Sequence, residues 1–427
     1  MISQVEYKKR REVLASSLKE NSISLLLSAT PKTRSNDTEY PYRQNSNFYY
    51  LTGFKEDSSA LLIVKKSKKV KSYLFVAKKD KALELWTGKR VGAKKAGEIF
   101  DFDGVYEYEE LSKIFKEELL NKDTLYYDFS HENPQMNAFK ELCKNFYAHK
   151  NIAKKIERER LIKSDAEIEL IKKAIKITKE AHHRAMQVVP TLGYEYELLS
   201  EIEYVFKKNG AYSDAYTSIV ASANAANTLH YISNDKPIQK GELLLIDAGC
   251  EYEYYASDIT RTIPADGKFS EAQKELYNLV LDVEKEIISM IKPGVLRSKL
   301  HSRSEELLCE GMVKLGILKG EIKKLLKKKA HKKYYPHGIG HWMGIDVHDE
   351  ASYKTKKGKE IALEAGMVMT IEPGIYLDKD DKKVPKKYRG IGIRIEDDIL
   401  VSEDGCINLS SKIAKEIADI ETLSKSK

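Results

Sequence analysis

Four stretches in the second half of the chain set a carboxylate inside a run of apolar residues: Asp247 in LLLIDAG, Asp258 in YYASDITRT, Glu372 in MVMTIEPGIYL and Glu396 in GIGIRIEDDILV. Runs of Ile, Leu and Val bounded by turn residues read as buried strands. A carboxylate in such a strand gives up its water shell, which is costly unless a cation or hydrogen-bond donors replace it. The chain therefore has to fold so that these acids share a compensating partner, or each finds its own.

The segment after Asp247 sharpens this requirement. A hairpin with its turn centred between Tyr252 and Glu253 pairs Asp247 with Asp258, and directly paired residues in an antiparallel ladder project from one face. The competing reading has one of the two capping a turn and the other paired with Arg261. Glu396 likewise has a competing partner in Arg394, two residues back on the same strand face, and Asp397 and Asp398 are alternative acids there. Spacing alone does not choose among these three.

The stretch HGIGHWMGIDVHD holds His337, His341 and His348, three of the 10 histidines in the chain. Gly338, Gly340 and Gly344 argue against a helix, so the spacing of His337 and His341 is not the helical HExxH zinc pattern. The segment reads as extended. On one regular strand His341 and His348 face opposite ways, so serving one pocket needs a bend or bulge, for which Gly344 is the candidate. Four strand-borne carboxylates and one imidazole balance the charge of two divalent ions. A set rich in oxygen with one nitrogen suits Mn²⁺, Co²⁺ or Fe²⁺, with Zn²⁺ also compatible. Two ions about 3.5–4 Å apart share a water, lower its pKa towards neutrality and polarise a carbonyl, which points to hydrolysis of an acyl bond.

Composition removes other classes. At 427 residues, 42% apolar and 32% charged, with 10 Pro and 23 Gly, the chain is a globular protein of two or three domains rather than a disordered, collagen-like or low-complexity one. No apolar run approaches the ~18 residues of a membrane span. The start, MISQVEYKKRREVL, has no signal-peptide pattern, so the expected location is the cytoplasm. Cys143, Cys250, Cys309 and Cys406 are scattered without a CxxC pair and read as reduced, mostly buried thiols. The net charge is +8. Its densest cluster, from Lys323 to Lys333 and interrupted by Leu325, Leu326 and Ala330, reads as a solvated helix face with one buried seam. No helix-turn-helix, stacking module or zinc-finger spacing accompanies it, so no nucleic-acid partner is expected. There is no GxSxG elbow, cysteine–histidine signature, phosphate loop or dinucleotide fingerprint either.

Residues 1–155 read as mixed α/β: an opening charged amphipathic helix, then strands near Ile23–Leu27, Ala60–Val64, Tyr73–Val76 and Leu125–Phe129, with no visible chemistry. Ser164 and Glu167 form a capping box that starts a helix whose face carries Ile168, Ile171, Ala174, Ile175 and Ala181. Further helices are expected over Tyr194–Lys208, ending at Gly210, and over Glu271–Ile291 and Arg297–Leu315. The last fifty residues read as strands and a frayed polar tail.

In their order along the chain, IDAG, SDITRT, HGIGHWMGIDVHD, TIEPGIY and YRGIGIRIEDD resemble the aminopeptidase P group of the pita-bread metallopeptidases. NDTEYPYRQNSNFYYLTGF and LWTGKRVG resemble its bacterial type. The resemblance implies an α+β chain, with a pita-bread catalytic domain over 156–427 and a smaller mixed α/β domain over 1–155. It implies two divalent ions, manganese foremost, on Asp247, Asp258, His341, Glu372 and Glu396, with Asp258 and Glu396 bridging; Glu396 is thereby chosen over its neighbours. No ligand is missing, unlike creatinase-like relatives that keep the fold without the metals. By the same resemblance His230, in TLHY, and His348 bind substrate or stabilise the oxyanion, and His337 lines the pocket. Tyr376 and Trp86 are pocket residues, Trp86 reaching a neighbouring subunit, and Arg394 orients carboxylates from outside the ligand set. The implied activity is that of an Xaa-Pro aminopeptidase. It removes the first residue of peptides with proline second, through a metal-bridging hydroxide, with Glu372 passing a proton to the proline nitrogen. The implied assembly is a homo-oligomer, dimer or tetramer. A prolidase acting on Xaa-Pro dipeptides is the alternative within the fold, and a non-catalytic basic binding protein the alternative outside it.

Overall fold

Strand-forming runs of the first half assemble into one mixed sheet. In a computed structural model that describes residues 1–129, 133, 135–142, 144 and 148–425, the chain divides into two units, Met1–Arg160 and Leu161–Lys427. The strands of the first unit's six-stranded sheet are Ser22–Leu27 (β1), Ala60–Lys66 (β2), Lys69–Val76 (β3), Gly104–Glu107 (β4), Thr124–Tyr127 (β5) and Ala148–Asn151 (β6), in the order β4-β3-β2-β1-β5-β6. All six residues of β1 are buried, because it is covered on both faces and paired on both edges, antiparallel to β2 and parallel to β5. The opening helix, Gln4–Ser17 (α1), starts on a Ser3 cap and buries Tyr7, Leu14 and Ala15. Helix Ala153–Arg160 (α2) belongs to this unit, where the buried Arg160 guanidinium donates to Asn47 at 2.8 Å.

The second unit begins with the capping box. Ser164 accepts the Glu167 amide, the Glu167 carboxylate accepts the Ser164 amide, and helix Asp165–Val188 (α3) follows. Its buried face is Leu170, Ile171, Ala174, Ile175, Ile177 and Ala181, rotated from the expected one so that Ile168 is only half-buried. Helix Glu195–Lys208 (α4) stops where Gly210 turns to φ +82°. Helices Glu271–Ser289 (α5) and Arg297–Lys314 (α6) add Leu276, Val280, Leu300 and Leu308 to the same core. The expected frayed tail instead forms helix Ile417–Leu423 (α7), because Ile420 is fully buried in that core. The lysine cluster flanks a short helix, Ile322–Lys327, in which no residue is fully buried and Leu325 and Leu326 are half-covered. Cys250 and Cys309 are buried and Cys406 half-buried, all free; Cys143 lies outside the described residues. Among the described residues no helix is long and apolar enough to cross a membrane.

Two interrupted hairpins carry the acids. In one, Ile219–Ser222 (β7), Leu243–Asp247 (β8) and Thr260–Pro264 (β11) form an antiparallel sheet, while the hairpin's tip, Cys250–Tyr252 (β9) and Tyr255–Ala256 (β10), belongs to another. The turn lies at Glu253 and Tyr254, with φ +48° and +72°, one place later than expected. Asp247 consequently pairs with Thr260 rather than with Asp258. This shift moves the partner by two residues, which preserves the strand face. In the other hairpin, Val368–Ile371 (β12) pairs with Asp397–Val401 (β15), and Gly374–Leu377 (β13) with Ile391–Arg394 (β14). Ile371 is opposite Asp397 and Gly374 opposite Arg394, so the register carried across the gap sets Glu372 opposite Glu396.

Both gaps depend on small residues. A Cβ on Gly249 would lie 1.9 Å from the Ser257 carbonyl oxygen, and one on Gly340 1.9 Å from that of Thr370. Gly249→Ala is expected to destabilise the chain by about 1–3 kcal/mol, read as a lower urea midpoint. An unchanged midpoint would mean that the crossing is not packed as described.

Candidate metal centre

Each acid sits where a ladder is given up. Asp247 is the last residue of β8, Asp258 precedes β11, Glu372 follows β12 with Pro373 unable to donate, and Glu396 lies between β14 and β15. The gap is closed by cross-links rather than ladder bonds: the Glu396 amide donates to the Thr260 carbonyl, and the Glu372 amide to Ile339. Asp247, Asp258, Glu372 and Glu396 line one cavity of about 400 Å³ together with His230, His337, His341, His348 and Arg394. Ligand atoms of Asp258, His341 and Glu396 all lie within 4.8 Å of one another.

The acids' partners differ from those suggested by proximity in sequence. Arg394 donates to Asp247 at 2.5 Å, not to Glu396, which lies beyond the end of β14. Arg261 turns away from Asp258 to pair with Asp397 at 2.7 Å, fully buried, and to donate to the carbonyls of Thr260 and Glu396. Asp397 is thereby occupied, also by Lys415, and Asp398 accepts the Asp258 amide from behind. Of the three adjacent acids, only Glu396 lines the cavity.

The histidine segment does bend. His341 runs beside β12, where the Thr370 amide donates to its carbonyl and Trp342 bridges Met369. The chain then folds back so that the Asp349 amide reaches the Trp342 carbonyl. The His341 and His348 rings meet edge to face with centroids 4.3 Å apart. The His341 Nδ1 donates to the Trp342 carbonyl at 3.0 Å, which turns Nε2 towards the acids, 3.3 Å from Asp258 and 3.8 Å from Glu372. His337 is held through Tyr376, whose hydroxyl is 2.7 Å from His337 Nε2 and accepts from Arg394 at 3.0 Å. Tyr376 therefore stands behind the wall, joining His337 to Arg394, and is not among the residues lining the cavity. His230 is exposed at its rim. Trp86 lies on Lys81–Thr87 of the first unit, 84% exposed.

Two supporting residues gave no sequence signal of their own. The Tyr216 hydroxyl donates to Asp247 at 2.7 Å, and the Thr260 hydroxyl donates to Glu396 at 2.7 Å while accepting from Arg394. Thr260 was within sight, since it lies in SDITRT; Tyr216 sits in a stretch with no periodicity to mark it.

Burial without enough positive charge dominates the electrostatics. It raises the carboxyl of Asp247, despite Arg394, and pushes Glu372 up to about 7, with Asp258 and Asp247 adding to it against His341 and Arg394. It raises Glu396 strongly, reinforced by Asp258, Glu372 and Asp247. Burial works against a charged His341, but Asp258 and Glu372 outweigh it and raise the imidazole to about 9. Burial holds His337 at about 3, aided by Arg394. Four carboxyl groups against one hydrogen-bonded arginine, with an imidazole nitrogen turned towards them, are a donor set that fits divalent cations.

Comparison with known proteins agrees with this chemistry. Residues 169–403 match the model of metallopeptidase family M24, and residues 7–126 that of the aminopeptidase P N-terminal domain. The chain belongs to metallopeptidase family M24, within its aminopeptidase P group. It is 41% identical to the Xaa-Pro aminopeptidase of Haemophilus influenzae over 98% of this chain and 96% of that one. It is 38% identical to the Escherichia coli Xaa-Pro aminopeptidase over 99% and 98%. The low-pH form of E. coli aminopeptidase P superposes with a TM-score of 0.95 at 37% identity, covering 99% of this chain and 98% of that one. The fold is accordingly the pita-bread type, preceded by the smaller N-terminal domain.

These shifts fix the pH dependence of the metal-free protein. Between about pH 6.5 and 9 the folded chain keeps a proton on His341 that the unfolded chain has released, so the stabilisation this gives is complete below 6.5 and gone above 9. Glu372 acts with the same sign below about 7. His337 and His182, both held near 3, act with the opposite sign only below 6.5. The urea midpoint of metal-free protein is expected to fall from pH 6.5 to 9, and saturating divalent cation to remove that fall. An equal slope with and without cation would contradict the assignment.

Proposed function

We propose that Asp247, Asp258, His341, Glu372 and Glu396 hold two divalent ions, manganese first among them, and that this site gives the chain the activity of an Xaa-Pro aminopeptidase. The observation that carries the site is the approach of Asp258, His341 and Glu396, with the imidazole Nε2 turned towards the acids. All five side chains would serve as ligands, four through carboxylate oxygens and His341 through its imidazole nitrogen. Bound there, the ions would activate a water and polarise the scissile carbonyl.

The chain's own residues do the rest. Arg394 and Tyr216 hold the two oxygens of Asp247, and Thr260 holds one oxygen of Glu396, so the carboxylates are oriented before substrate arrives. His230 and His348, at the cavity wall, donate to the oxyanion that develops on the scissile carbonyl. Glu372 carries the proton from the attacking water to the proline nitrogen. His337, kept neutral by burial and fixed through Tyr376, lines the place of the peptide. The acids also attract a free peptide amine, which is the physical basis for removing one residue from the end. In a homo-oligomer, dimer or tetramer, Trp86 would extend from one subunit towards a neighbour's site, in keeping with its exposure. The proposed location is the cytoplasm.

An Xaa-Pro-Yaa tripeptide, an Xaa-Pro dipeptide and an Xaa-Ala-Yaa control, assayed after chelation and again with Mn²⁺ restored, test the reading. Cleavage of the proline tripeptide alone, and only with metal, is expected. Cleavage confined to the dipeptide would replace it with prolidase. Asp258→Asn and Glu396→Gln are each expected to lower turnover at least about 100-fold with unchanged circular dichroism; full turnover in either would remove the two-ion mechanism.

A further inference from the structure

Asp349 ends the histidine segment, and Lys163 lies in the stretch before α3; neither takes part in the chemistry proposed above. Lys163 Nζ reaches Asp349 Oδ2 at 2.9 Å, with both side chains 1% exposed. Two charges taken this far out of water are costly, and each makes the other tolerable. The Lys163 amide is itself fixed, donating to the Gly366 carbonyl at 2.8 Å.

The pair closes on the loop that carries the two histidines. Its ends are tied by the Asp349 amide to the Trp342 carbonyl at 2.9 Å, so His341 immediately precedes one end of that tie and His348 the other. Gly344 is pressed against the pair: a Cβ there would lie 2.8 Å from Asp349 Oδ2 and 2.8 Å from Lys163 Cε. On its other side the Gly344 carbonyl accepts the Ala256 amide, two residues before Asp258. The ion pair, the loop and the acid-bearing hairpin are thus stacked in direct contact, and a change in the Lys163–Asp349 distance has no slack to absorb it before the two rings.

We propose that Lys163 and Asp349 are positioning residues for the reaction, setting the edge-to-face geometry of His341 and His348 from behind the cavity. This rests on the peptidase reading of those histidines. A hydrophobic pair of similar volume often stabilises as well as a buried ion pair does. What it lacks is a bond of fixed direction, and a displacement of about 1 Å in a reacting group lowers turnover by up to about 100-fold.

The test is the double variant Lys163→Met/Asp349→Leu beside the single variants Lys163→Met and Asp349→Asn. Three quantities are measured: urea midpoint, kcat and KM on the proline tripeptide with Mn²⁺, and the ring ¹H–¹⁵N signals of His341 and His348 in metal-free protein. The single variants are expected to lose stability, and the double variant to recover most of it. The double variant should nevertheless show kcat reduced about 10- to 100-fold, KM changed less than kcat, and displaced His341 and His348 signals. Parental kcat with unmoved ring signals in the double variant overturns the proposal, whatever the single variants do. If the parent itself cleaves no peptide, the peptidase reading has failed separately, and the ring signals still decide the positioning: displaced supports it, unmoved overturns it.

Discussion

Mutual repulsion among Asp247, Asp258, Glu372 and Glu396 is the force that the surrounding structure is built to withstand. All four reach one cavity, and burial holds Asp247, Glu372 and Glu396 above the usual carboxylate range. Left alone, such a group would splay apart or draw in water. It stays because two of the acids are gripped from behind and the main chain at their junction is held. Arg394 and Tyr216 take Asp247, Thr260 takes Glu396, and Arg261 holds the main-chain carbonyls on either side of the junction while bound to Asp397. Lys415 then joins Asp397 to Glu284, so the support continues as a buried network of alternating charge. Cations bound by these acids, as proposed above, would return the energy lost by gathering them, which would make ligand affinity and fold stability two readings of one quantity.

The fold places this charge where the backbone has something to spare. A regular ladder uses its amides and carbonyls and sends alternate side chains to opposite faces. At the interruptions of the two hairpins that arrangement lapses, and the freed backbone groups bond across from one hairpin to the other, as Glu396 does to Thr260. The acids are thus fixed by main chain that is well bonded but not part of a continuous sheet. Glycine enters for a related reason. At Gly249 and Gly340 a neighbouring carbonyl oxygen occupies the space of a side chain, so the crossing strands approach more closely than any other residue would permit.

Much of this was legible in the residues. Acids within apolar runs marked Asp247, Asp258, Glu372 and Glu396, and the clustering of His337, His341 and His348 marked three further residues of the same cavity lining. Ser164 and Glu167 marked the start of α3, and Gly210 the end of α4. The register of the first hairpin was misjudged because its turn residues, Glu253 and Tyr254, adopt a left-handed conformation without the Asn-Gly signal that usually marks one. The partners of Arg394 and Arg261 were also not legible. Both reach across to residues more than a hundred positions away, and proximity in sequence favours the wrong carboxylate in each case. The tail helix escaped because its core-facing residues, Ile417, Ile420 and Leu423, span only two turns, too short a run for the period to stand out.

The continuous register of each hairpin through its interruption has a consequence for how such a site can change over time. Spacing between paired acids is written into the number of residues on each arm, so adding or removing one residue within an arm turns every following side chain to the other face. The tips are under no such restriction. The turn at Glu253 and Tyr254 closes a short ladder beyond the site, and the long connection between Leu377 and Ile391 lies on the far side of the second interruption. Length variation in a lineage of such chains should therefore gather at the tips, leaving the arms constant in length even where their residues drift.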